Sequence, residues 1–137
     1  MRIKLNPISD TVAGKRVVLV DDSIVRGTTS RQIVQLLREA GAAEVHFLSS
    51  APMFLYPCYF GTDIDSRDKL IAANHTLPEM EEMLGVDSLG FLSVEGVKQI
   101  AEGCHLNFCV GCFSGEYPVP PPQVSEKSKF EKRISES

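Results

Sequence analysis

Two adjacent carboxylates, Asp21 and Asp22, stand at the end of the apolar run Val17-Val18-Leu19-Val20, and Arg26-Gly27-Thr28-Thr29 follows a few residues later. Vicinal acids can accept hydrogen bonds from neighbouring sugar hydroxyls or share a Mg2+ ion. The Arg-Gly-Thr-Thr stretch offers consecutive backbone N–H groups to an anion. Gly27 lets the backbone come close, and a helix beginning there adds its positive dipole end. A sugar diol beside a phosphate describes a ribose 5-phosphate. The bland alternative is a pair of solvated loop acids followed by ordinary helix caps. The full order of apolar run, acids, loop and Gly-Thr-Thr favours the ligand site. It is not a Walker A loop, because no Gly-Lys-Ser/Thr is present.

The second group is sulfur. Cys109-Val110-Gly111-Cys112 has the two-residue gap that lets both thiolates reach one metal centre, and Cys58 lies well upstream. By itself the spacing leaves open a redox pair, half of a zinc site, iron–sulfur ligands or unligated thiols. The redox reading is weaker, since the pair does not open a helix after a strand. Cys104 reads as a plain thiol, and His105 beside it is a minor candidate ligand. His46 lies in a strand pattern and reads as structural. His75 reads as a helix-end residue without a chemical role, and the acids of 79–82 as a solvated helix face.

The elements that position these groups are legible as patterns. Val17 to Val20 show no polar alternation, which predicts a strand covered on both faces, as in a parallel sheet. Ile33, Leu36, Leu37 and Ala40 recur at helical spacing, with Thr28 or Thr29 as cap and Gly41 as the terminating glycine. Residues 44–50 read as the next strand, completing a βαβ unit. A loop over 51–65 carries Cys58, one short helix is expected over 66–73, and a lead-in strand near residues 2–5. Thr76-Leu77-Pro78-Glu79 has capping-box spacing, with Gly85 ending that helix. A strand over 88–92 and a Ser93-capped helix to Gly103 follow. The fold class is thus α/β, with a mostly parallel sheet, flanking helices and a cysteine-containing C-terminal region. Residues 1–118 form the domain, and 119–137, proline-rich and then charged, are expected to be a disordered tail.

The bulk composition sets bounds. The 137 residues suit one domain, with 43% hydrophobic and 23% charged residues. A net charge of -4 without a basic run argues against a nucleic-acid partner. No apolar stretch is long enough to span a bilayer, and the N-terminus lacks a signal-peptide core, so the expected home is the cytoplasm, without a membrane partner. There the four cysteines suit metal ligation or free thiols better than disulfides.

Residues 17–29 resemble the phosphoribosyl-pyrophosphate signature of type I phosphoribosyltransferases. The longer run Asp21-Asp22-Ser23-Ile24-Val25-Arg26-Gly27-Thr28-Thr29-Ser30 resembles one branch, the glutamine phosphoribosylpyrophosphate amidotransferases, and the likeness extends over about residues 2–118. The resemblance implies that Asp21 and Asp22 hold the ribose hydroxyls and the Mg2+ bound with the diphosphate. It implies that Arg26, Gly27, Thr28 and Thr29 cradle the 5-phosphate, and that Cys58, Cys109 and Cys112 ligate a four-iron four-sulfur cluster whose fourth ligand lies upstream. It further implies phosphoribosyl pyrophosphate as substrate, purine nucleotides as feedback inhibitors and a homo-oligomeric whole enzyme. The glutaminase domain, pyrophosphate loop and lid of that family have no counterpart here. The expectation is therefore a C-terminal fragment, from a truncated frame or a split enzyme, that is inactive alone. The competing readings are a non-catalytic phosphoribosyl- or nucleotide-binding module and a small iron–sulfur or zinc protein.

Overall fold

A computed structural model describes residues 9–62, 64, 66–103 and 108–121. The strand expected near residues 2–5, Cys104, His105 and residues 122–137 lie outside the described residues. The order of elements is α1 (Ser9–Val12), β1 (Arg16–Asp21), α2 (Thr28–Glu39), β2 (Glu44–Ser49), a 3-10 turn (Arg67–Lys69), α3 (Ile71–Asn74), α4 (Leu77–Leu84), β3 (Ser88–Phe91), α5 (Val94–Gln99) and α6 (Gly111–Ser114). The three strands form one parallel sheet in the order β1-β2-β3. The expected strand–helix–strand unit is β1–α2–β2. The single helix expected over 66–73 is instead the 3-10 turn followed by α3, because Leu70 between them takes an extended conformation.

The register divides the side chains cleanly. Val17, Leu19 and Asp21 share one face with Val45, Phe47 and Ser49, and with Leu89 and Phe91. Onto this face pack Val34 of α2, Ile71 of α3, Met80 and Leu84 of α4, and Ile24 from the loop before α2, closing the main core. A smaller core of Phe54, Ile64 and Leu70 lies beneath the long loop, with Cys58, Cys112 and Phe113 against it.

The opposite face corrects the expectation that both faces of β1 are covered. Val18 and Val20 are 58% and 65% exposed, and Leu48 beside them is 45% exposed. An unbroken apolar run is suited to burial on both sides, but the described helices supply cover for one. At the other end of this face the side chains are polar. His46 bonds Ser88 Oγ through Nδ1 at 2.7 Å and Glu44 through Nε2 at 3.0 Å, while Arg16 donates to the same carboxylate at 2.6 Å. The His46 hydrogen bond, then that of Arg16, holds Glu44 below the usual carboxylate range.

Local sequence explains the remaining helices. Thr76 and Glu79 form the capping box that starts α4, Pro78 sits in its first turn, and Gly85 ends it in the left-handed conformation. The Ser93 hydroxyl accepts from the Gly96 N–H at 2.9 Å to start α5, which ends at Gln99, before the expected Gly103.

Candidate phosphoribosyl and thiol sites

Asp21 is the last residue of β1, and Asp22 opens the loop leading to α2. Asp21 Oδ1 accepts from the Asp22 N–H at 2.9 Å, and Asp22 Oδ1 from the Ser23 hydroxyl at 3.0 Å. The loop is fixed from beneath. Ile24 is buried in the main core, Val25 packs on the smaller one, and the Val25 carbonyl accepts the Ile71 N–H at 2.9 Å. From the side, Ser50 donates its backbone N–H to the Asp21 carbonyl at 2.9 Å. Its hydroxyl reaches the Asp21 and Asp22 carbonyls at 3.1 and 3.3 Å.

The helix start differs from the expectation that Thr28 or Thr29 caps it. The cap is Gly27, at φ 77° and ψ -9°, with no side-chain cap bond, and both threonines are helical residues exposed on the first turn. The left-handed backbone at this position favours glycine, and a Cβ there would also press on Ile71 Cδ1 at 2.9 Å. The threonines then present hydroxyls at the helix mouth, where the first N–H groups have no intrahelical acceptor. Acids, loop and helix mouth thus meet at the carboxyl end of β1, the ligand edge of an α/β sheet.

The cysteine segments also meet. Leu55 and Tyr56 both donate their backbone N–H groups to the Cys112 carbonyl at 3.0 Å, drawing the Cys58 loop against α6. The pair 109–112 leads into one helical turn, with Cys112 inside it. Burial pushes the Cys112 thiol up to about 11, and the neighbouring Cys58 and Cys109 add to the rise. Burial also acts upward on Cys58, but backbone N–H groups of Phe60, Thr62 and Gly61 outweigh it and leave that thiol lowered. Burial carries Tyr117 to about 12, with Tyr59 and the same three cysteines contributing, so the phenol and the sulfurs share one neighbourhood.

The donors suit a thiolate-ligated group. The Thr62 N–H points at Cys58 Sγ at 3.3 Å and the Gly111 N–H at Cys109 Sγ at 3.4 Å, and such bonds favour anionic sulfur. Among the described residues no three His, Cys, Asp or Glu side chains converge on a single ion-binding point.

Sequence reasoning missed Ser50, Tyr56 and Tyr117. A serine following a strand carries no motif. The tyrosines act through glycines, Gly115 and Gly111, whose meaning depends on what lies over them.

The fold and the acid-loop-helix edge define a phosphoribosyltransferase-type domain, and comparison agrees: the family described as phosphoribosyl transferase domain matches residues 3–52. Amidophosphoribosyltransferases of Synechococcus elongatus and Synechocystis are 48% and 52% identical over 95% of this chain, and the chain covers 26% of each. A solved glutamine phosphoribosylpyrophosphate amidotransferase from B. subtilis, complexed with ADP and GMP, aligns with a TM-score of 0.78 at 47% identity, covering 90% of this chain and 28% of that one. A structure described as the allosteric regulatory enzyme of purine biosynthesis aligns at 0.84 and 44% identity, covering 98% of this chain and 30% of that one. Over 95% of its own length the chain is thus similar to amidophosphoribosyltransferases, and it spans about a quarter of the length of the curated relatives it matches.

Proposed function

We propose that this chain supplies the ribose-5-phosphate-binding part of an amidophosphoribosyltransferase. The whole enzyme converts glutamine, phosphoribosyl pyrophosphate and water into phosphoribosylamine, glutamate and pyrophosphate, the first committed step of purine synthesis. The carrying observation is the pinned Asp21-Asp22 pair at the end of β1, leading through a left-handed Gly27 into α2. In this reading Asp21 and Asp22 accept the ribose hydroxyls, while Arg26, the Gly27 backbone and the mouth carrying Thr28 and Thr29 take the 5-phosphate. Displacement of pyrophosphate at the anomeric carbon by ammonia develops oxocarbenium character, and this chain's part is to fix the donor for that attack. The pyrophosphate grip and the ammonia source belong to other parts of the whole enzyme, so the isolated chain binds the donor without turning it over.

Two cofactors fit the same reading. The Oδ2 atoms of Asp21 and Asp22 have no protein partner among the described residues and would hold Mg2+, which neutralises charge on the bound diphosphate. Cys58, Cys109 and Cys112 would hold an iron–sulfur cluster, which ties the two thiol segments together, with the fourth ligand from outside this chain. The relative solved with ADP and GMP supports purine nucleotides as regulators of the whole enzyme, which we read as a cytoplasmic homo-oligomer.

The test is calorimetric titration with phosphoribosyl pyrophosphate and Mg2+. Replacing both acids, Asp21→Asn with Asp22→Asn, is expected to weaken binding by about tenfold or more, the scale of lost charge-assisted hydrogen bonds. Unchanged affinity rejects the assignment. Turnover on adding the remainder of a relative's enzyme separates the catalytic reading from a binding module.

A further inference from the structure

The two thiol segments are joined by two tyrosines, one crossing by its ring and the other by its hydroxyl. Tyr56, from the Cys58 loop, lies over Gly115 at the end of α6, where a Cβ would stand 2.9 Å from its Cζ. Tyr117, from the Cys112 side, lies over Gly111 inside the Cys109–Cys112 gap, where a Cβ would stand 2.4 Å from its Cδ1. The Tyr117 hydroxyl then donates to the Pro57 carbonyl at 2.7 Å, the residue next to Cys58. Tyr59 braces the Tyr117 ring edge-on at a centroid distance of 5.3 Å. Each segment thus contributes a ring to a glycine of the other or of its own turn, and one hydrogen bond closes the circuit.

We propose that Tyr117 is a positioning residue for the thiol site: its ring on Gly111 and its hydroxyl on Pro57 set the separation of Cys58 from the Cys109–Cys112 pair before any metal arrives. This rests on reading those three cysteines as ligands. Carbon at position 111 would displace the ring, so the glycine between the two thiols is required by the tyrosine and not by the sulfur geometry alone. A preset separation lowers the ordering cost of assembling a ligand set drawn from distant parts of the chain.

The experiment compares the full chain with Tyr117→Phe, which keeps the ring and removes the hydroxyl, and with Gly111→Ala, which displaces the ring. Cluster is assembled anaerobically from ferrous iron and sulfide, and its loss to a ferrous chelator is followed by visible absorption. In parallel, the metal-free protein is alkylated with iodoacetamide and each cysteine is read by peptide mass. Both variants are expected to release iron about tenfold faster, the usual scale for losing an outer-sphere partner. Cys58 and Cys112 of the metal-free variants should alkylate several-fold faster, with the urea midpoint of Tyr117→Phe unchanged. Release and alkylation rates of Tyr117→Phe equal to those of the parent overturn the proposal. If the parent assembles no cluster, the ligand reading fails, and the metal-free alkylation rates alone uphold or overturn the tyrosine's role.

Discussion

Gly27 links the fold and the ligand edge through one backbone conformation. Its positive φ turns the chain from the acid loop into α2, and the space beside it is already filled by Ile71 and Leu84. Gly27→Ala therefore meets two penalties, left-handed backbone in a residue with a Cβ and contact at 2.9 Å with Ile71 Cδ1. The expected loss is about 1–2 kcal/mol of stability, read from urea unfolding. The same substitution should weaken phosphate binding, since the helix mouth moves with the turn. Asp21 and Asp22 belong to a different category: their side chains bond only to neighbouring positions, so their replacement should spare the fold and remove the ligand.

At the scale of elements, Asp87 joins three of them. One of its carboxylate oxygens accepts from the Val45 N–H and from Arg38 Nη2, both at 2.6 Å, while the Asp87 N–H returns a bond to the Val45 carbonyl at 2.9 Å. Arg38 also donates to the Ala43 and Gly85 carbonyls at 3.2 Å, so α2, the start of β2 and the approach to β3 share one polar knot. The Val45 N–H first, then Arg38, hold this carboxyl below its ordinary value. A carboxylate lowered in the folded state stabilises fully above its unfolded pKa, and that contribution disappears as pH falls through the lower folded value. Asp87→Asn is thus expected to lose less stability than the parent between about pH 5 and pH 3, measured by urea midpoints across that range. An identical slope would show that the knot contributes nothing to acid sensitivity; Glu44 and Glu79, also lowered, add slope of the same sign.

For the whole molecule, the decisive feature is the uncovered sheet face. Val18, Val20 and Leu48 lie exposed side by side, and β1 pairs with a described strand on one edge only. An apolar face beside an open edge invites association. The isolated chain is expected to self-associate with rising concentration, and Val20→Lys with Leu48→Lys to reduce this in sedimentation velocity. Because both positions are already solvated, the urea midpoint should stay within about 0.5 kcal/mol of the parent. Association undiminished by the two lysines would place the contact elsewhere.

Periodicity and turn chemistry in the sequence determined β1, α2, β2, the capping box of α4 and the Ser93 cap, because those signals are carried by residues close together in the chain. The Asp-Asp pair and the Gly-Thr-Thr loop were likewise legible, since one loop holds them all. What the sequence could not decide was which face of β1 would be covered: an apolar run records suitability for burial and not the presence of a neighbour. The same limit hid Ser50 beside the acids and Tyr117 over Gly111. Their roles come from contacts between segments far apart in sequence, and only the tertiary structure brings those segments together.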